Sequence, residues 1–198
     1  MGAIPVAVVV VLVGIWVAGG LLTNDFAASM ALTALWFLAV VAAAVLAWRR
    51  APALRPAAVA ALATFALVGG YLAYTSNVDK TVDETVATGK AALQGSFTGL
   101  AHPTSGVARI VELAGGGRVV TLTGFETDPG PDLYVYAVPG RVSGENVDGG
   151  VNLGRLKGNI GSQQYVLPTS FDAADGATVV VWCRAFSVTF GAAVLAPQ

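Results

Sequence analysis

Val107-Ala108-Arg109-Ile110-Val111-Glu112-Leu113 and Arg118-Val119-Val120-Thr121-Leu122-Thr123, with Gly115-Gly116-Gly117 between them, decide the fold of the C-terminal half. Both runs are rich in residues that favour a pleated strand, and the glycines supply the turn a hairpin needs. The same texture extends outward in both directions. Short runs rich in Val, Leu, Thr and Tyr alternate with clusters of Gly, Pro, Asn and Asp, a pattern of strands and tight turns. It predicts further strands near 96–100, 133–138, 151–156, 164–167, 178–184 and 187–195. Asp128-Pro129-Gly130-Pro131 and Asp175-Gly176 punctuate them, since neither dipeptide class suits a helix or strand interior. No long periodic helix and no internal repeat interrupts the series. The expectation for 94–198 is an all-β domain of about eight strands, a β-sandwich or a small closed barrel.

Upstream, residues 76–93 are a polar linker. Val78, Val82 and Val86 recur at a spacing of four, with Asp79, Lys80, Asp83 and Glu84 around them. That spacing predicts a short amphipathic stalk helix ending near Gly89.

Residues 1–75 have another chemistry. The chain carries 11 basic and 12 acidic side chains, yet only Asp25, Arg49, Arg50 and Arg55 fall in this part. Residues 4–22, 27–48 and 56–74 contain no ionisable group, and each is close to the roughly 20 residues that cross a hydrocarbon core. Pro5 and Pro56 sit in first turns, where a missing N–H costs nothing, and Asn24 or Asp25 can cap the second helix. The reading is a three-helix transmembrane anchor, packed through small residues such as Gly14, Gly19, Gly69 and Gly70. Arg49, Arg50 and Arg55 share one short loop, and short basic loops stay cytoplasmic. Threading from that loop puts Met1 in the cytoplasm, and residues 23–26 and everything after Tyr74 outside the cell membrane. A cleaved signal peptide is the rival for the first segment, but no Lys or Arg precedes its apolar run and no clear small-x-small site follows. With no ionisable side chain inside a span, the bundle has no candidate for a proton or ion path. Its partner is the lipid bilayer.

The net charge of −1 gives no basic footprint for nucleic acid. Cys183 is the lone cysteine, which forbids an intrachain disulfide and a multi-thiolate zinc site. His102 is the lone histidine, and a copper electron-transfer centre needs two imidazoles with a thiolate. Covalent c-type haem is excluded because no Cys-x-x-Cys-His occurs. A serine hydrolase lacks its Gly-x-Ser-x-Gly elbow, although Ser105 lies near His102. Gly158-Asn159-Ile160-Gly161 is followed by no helix and is therefore no phosphate loop. Asp128 and Asp132 flank a turn and read as solvated acids.

Four blocks resemble the DM thirteen, or electron transfer DM thirteen, domain family over about 94–195. They are His102-Pro103-Thr104-Ser105-Gly106-Val107-Ala108; Phe125 followed by Gly130-Pro131-Asp132-Leu133-Tyr134-Val135-Tyr136; Leu153 through Gly161 running on to Tyr165 and Pro168; and Val181-Trp182-Cys183-Arg184-Ala185-Phe186-Ser187-Val188 with Phe190-Gly191-Ala192. The resemblance implies an extracytoplasmic β-rich domain with a redox role around the lone cysteine, acting as a thiol or through a prosthetic group such as haem. It fixes no substrate and leaves the cofactor unknown.

Two readings of Cys183 stand beside each other. In 178–184 one face carries Val179, Val181 and Cys183 and the other Val180 and Trp182, so the strand reads as buried on both sides and the cysteine as a small hydrophobe. Against that, a lone thiol in an oxidising compartment is exposed to chemistry that Ala or Val would avoid. Arg184 points away from the sulfur in a regular strand. His102 is either a packed loop residue or a second ligand. Trp182, with Tyr134, Tyr136, Tyr165, Phe186 and Phe190, is core first and a lining for a flat prosthetic group second. The two functions that follow are a membrane-tethered redox domain centred on Cys183, with His102 and Trp182 as candidate cofactor contacts, and a non-catalytic binding module whose cysteine only packs. The redox or protein partner outside the membrane is unknown.

Overall fold

The structure is a computed structural model that describes residues 2–23 and 26–197. Asn24 and Asp25, expected to cap the second helix, lie outside the described residues. The chain divides into two compact units, a helical one ending at Tyr74 and a β one that runs over Thr75–Arg184 and resumes at Val188.

The helical unit holds α1 (Ala3–Gly20), α2 (Phe26–Arg50) and α3 (Arg55–Thr75), with a single 3-10 turn, Pro52–Leu54, between the last two. All three are long and apolar enough to cross a membrane, and each buries little of itself within the unit. A helix that is apolar all round needs an apolar surrounding rather than one apolar neighbour. Arg49 and Arg50 close α2 at its carbonyl end, where the helix dipole favours positive charge. The Trp36 ring fills the space over Gly14, and its indole N–H donates to the Val11 carbonyl at 3.3 Å. Phe37 and Phe65 meet edge to face at 4.7 Å between α2 and α3. Gly19 faces the Thr33 hydroxyl, but Gly70 meets nothing within 4 Å and packs no neighbour, contrary to expectation.

All eight expected strands are present, with a ninth before them. They are β1 (Thr81–Asp83), β2 (Ala91–Gly99), β3 (Thr104–Glu112), β4 (Arg118–Thr127), β5 (Leu133–Pro139), β6 (Val151–Arg155), β7 (Ile160–Leu167), β8 (Ala177–Cys183) and β9 (Val188–Leu195). They form one sheet in the order β1-β7-β4-β3-β2-β9-β8-β5-β6. The sheet curls into a half-barrel, where the sequence predicted a sandwich or closed barrel. The reason is β2, which pairs with β3 through Ala91–Ser96 and with β9 through Phe97–Gly99, so one strand serves both halves. Ile110, Leu122, Phe125, Val135, Val179 and Val181 fill the hollow at 0–1% exposure. Phe97 and Phe125 meet edge to face at 5.1 Å across it.

The outer face of β8 is also covered, by residues 140–150. The Thr189 hydroxyl donates to the Gly144 carbonyl at 2.8 Å, and the Val142 N–H donates to the Thr178 hydroxyl at 3.1 Å. Gly144 has φ +78°, and a side chain there would run into Ala192. Beneath this cover lie Val138, Val180 and Ala192, with Tyr136, Val147 and Trp182 against them. The strand is therefore buried on both faces, as its sequence predicts.

The stalk helix is not formed. Residues 81–83 instead pair in parallel with the start of β7, and the following residues form no helix or strand until β2 begins. Side-chain bonds explain the difference. The Asn159 amide donates to Asp79 at 2.8 Å while its oxygen accepts from the Lys80 N–H, and Gln164 accepts from the Ala87 N–H at 2.8 Å. Lys157 Nζ meets both Glu84 carboxylate oxygens at 2.8 Å. That ammonium bond holds the Glu84 carboxyl below its ordinary range. Glu84, Asp79 and the valines thus satisfy a strap, not a helix face, because tertiary bonds outweigh weak helix propensity. Below the strap, Gln163 is fully buried and satisfied: its oxygen accepts from the Lys157 N–H at 3.0 Å and the Tyr165 hydroxyl at 2.7 Å, and its nitrogen donates to Gly158 at 2.8 Å. Burial pushes the Tyr165 hydroxyl well above the usual tyrosine range.

Candidate functional site

Cys183 ends β8, opposite Leu133 of β5 and Val188 of β9. Alternation puts it on the inner face with Val179 and Val181, and all three are 0% exposed. A sulfur with no accessible surface cannot be reached by another thiol or a disulfide without opening the sheet. Arg184 turns to the other face, as expected, and its Nε donates to Asp132 at 3.0 Å. Trp182 is also on that outer face, so Cys183 and Trp182 share a strand but not a surface.

His102 sits at the far end of the β3–β4 hairpin. Nδ1 lies 2.9 Å from the Asp128 carboxylate, and the ring stacks on Phe190 at 3.8 Å between centroids. A carboxylate only accepts, so Nδ1 carries the hydrogen and Nε2, which is buried, holds the lone pair in the neutral ring. Next to it the Thr104 and Thr127 hydroxyls are 2.9 Å apart, and Thr127 donates to the Pro103 carbonyl at 3.2 Å. A cavity of about 470 Å³ opens here, lined by Asp79, Gly99, Thr104, Ser105, Glu126 and Asp128 among others. The sequence reading took Asp128 for a solvated turn acid. At the far end of the hairpin, past a bulge between Ser105 and Val107 that the sequence did not signal, Thr104 pairs with Thr127, which brings His102 near Asp128.

Asp132 does not pair with Asp128 either. Its two oxygens take Arg155 Nη2 at 2.8 Å and Arg184 Nε at 3.0 Å. The bond to Asp132 raises the proton affinity of the Arg184 guanidinium. Both guanidinium carbons stand over the Tyr134 ring, Arg184 at 3.9 Å and Arg155 at 5.6 Å from its centroid. Register explains the grouping, because Tyr134 pairs with Arg155 of β6 on one side and with Trp182 of β8 on the other. Arg155 was missed in the sequence because only the sheet order makes β6 a neighbour of β5.

Among the described residues, no group of three or more His, Cys, Asp or Glu side chains could hold a metal ion. Haem does not fit the residues proposed for it. Cys183 is enclosed by the packed hollow, the second ring nitrogen of His102, Nε2, is buried, and the cavity beside His102 is lined by neither residue. A flat macrocycle needs an open face at its ligand atom, which these positions lack.

Residues 96–195 match the family model described as Electron transfer DM13. No curated protein and no solved structure matches the chain.

Proposed function

The chain belongs to the electron transfer DM13 family, and from that premise we propose a redox-related role for its β unit, tethered to a membrane and facing away from the cytoplasm, with Cys183 at its centre. The family match over 96–195 is the observation that carries this reading. Tethering is supported by three helices long and apolar enough to span. Orientation is supported by the Arg49, Arg50 and Arg55 loop, since short basic loops remain in the cytoplasm. The enclosure of Cys183 narrows the chemistry: disulfide exchange by direct attack on the sulfur is barred by access, and haem enters no step.

A second reading is favoured by that same enclosure. A cysteine at 0% exposure, packed among Val179, Val181 and Leu133, serves equally well as a small hydrophobe in a binding module. A potentiometric titration of the full chain in detergent micelles, with haem supplied during expression, separates the two. The redox reading expects a reversible couple in the parent, carried by a bound prosthetic group because the chain has no second cysteine to join an enclosed thiol, that is lost in Cys183→Ser, and no Soret band. A parent with no couple, or a couple unchanged in Cys183→Ser, overturns it and leaves the binding module.

A further inference from the structure

The outer face of strands β6, β5 and β8 is unlike the rest of the β surface. One row across it reads Arg155, Tyr134, Trp182. Asp132 and Arg184, two residues before Tyr134 and two after Trp182, share that face by strand periodicity and hold each other at its end. Tyr136 lies two residues on, its hydroxyl accepting from the Asn152 amide at 3.1 Å. Arg, Tyr and Trp are the residue types that dominate binding hot spots.

The two arginines are exposed yet fixed. Their side chains are 59% and 47% exposed, but one carboxylate holds both and one aromatic ring lies under both. Asp132 offsets one of the two charges and occupies one nitrogen of each guanidinium, so each exposed guanidinium keeps further N–H donors and the trio a net positive charge. Three other cations of the β unit are spent internally. Lys157 is paired with Glu84, Arg109 donates to Gln94 and Thr123, and Arg118 donates to the Phe171 carbonyl at 2.6 Å. A guanidinium pair ordered in advance loses little freedom on binding, which raises affinity without new contacts.

We propose that this Arg155–Tyr134–Arg184 face, flanked by Trp182, is the docking surface for an acidic protein that presents surface carboxylates. The face lies on the outer side of β8 at its Cys183 end, where Arg155 and Arg184 are exposed and Trp182 is only partly buried at the edge of the 140–150 cover. The proposal rests on the redox-related reading for what the partner does, and on the arginine geometry alone for where it binds. Charge complementarity carries the choice of partner: forked donors match carboxylates two by two, and opposite patches steer encounter without requiring a large interface.

The test uses the full chain in zwitterionic micelles and a poly-L-glutamate of about twenty residues as probe, followed by amide and indole NMR shifts at low and physiological ionic strength. The parent binds, with shifts centred on Tyr134, Arg155, Trp182 and Arg184, and binding weakens as salt screens it. In R155Q/R184Q the affinity falls about tenfold or more and the salt dependence flattens, as removal of steering charges does. R155K/R184K retains the salt dependence but recovers only part of the affinity, because lysine lacks the planar fork. Absence of binding by the parent, shifts confined to the Arg49, Arg50 and Arg55 loop, or undiminished binding by R155Q/R184Q each overturns the proposal. Cys183→Ser keeps full binding, so a failure of the redox reading leaves this result untouched and is seen separately in the titration.

Discussion

In the folded chain, Cys183 is predicted to be closed to external thiol reagents until the β unit opens. The sulfur is 0% exposed and lies among Val179, Val181, Leu133 and Val135, of which only Leu133 shows any exposure, at 6%. Labelling therefore requires the sheet to part around β8, which pairs along its whole length with β5 and β9. A domain stability of at least about 5 kcal/mol suppresses such opening by a factor of more than about 10³. An aromatic disulfide reagent added to the full chain in micelles should react at least that much more slowly than after addition of urea. Cys183→Ser nearly keeps the volume but takes a hydroxyl, far more costly to remove from water than a thiol, into this enclosed position, at a cost of about 1–3 kcal/mol. For a β unit of this size each kcal/mol lowers the melting midpoint by about 3–6 °C, so the variant should melt clearly earlier by near-ultraviolet dichroism. Labelling of the folded chain at a rate close to that in urea, or a Cys183→Ser midpoint within a degree of the parent, would refute the packing argument.

The strap should loosen in acid. The Glu84 carboxyl is lowered in the fold by Lys157, so its contribution is complete above the unfolded-chain value of 4.5 and is lost as pH falls below it. Hydrogen exchange at the Glu84 and Ala87 amides, which donate to Ser162 and Gln164, should rise there before exchange in β8, and Glu84→Gln should abolish that pH dependence. Gly161→Ala should free the strap at any pH, because φ is +109° and a methyl group would meet the Val82 backbone; the expected cost of about 1–3 kcal/mol is checked by urea unfolding. Membrane orientation is checked with an impermeant thiol label on single-cysteine variants at Thr23, Ala51 and Ser76, made in a Cys183→Ser background. Labelling of Thr23 and Ser76 but not Ala51 is expected, and labelling of Ala51 alone reverses the orientation.

The sequence by itself determined everything that depends on near neighbours. Three uncharged runs become α1, α2 and α3 because backbone bonds within a helix need no distant partner. The Gly115-Gly116-Gly117 turn sets the β3–β4 pairing, and alternation along β8 places Cys183 on one buried face and Trp182 on the other. Family membership was legible from four short blocks in register. What the tertiary structure decided depends on strands far apart in the chain. Residues 76–93 carry a helical spacing of valines, yet Asn159, Lys157 and Gln164 capture their polar groups and draw them into a strap against β7. Only the sheet order sets Trp182 of β8 beside Tyr134, and only the bonds of Asp132 gather both arginines over that ring. Local periodicity fixes which face a side chain takes, but which strand lies across from it is settled by the whole sheet closing around its core.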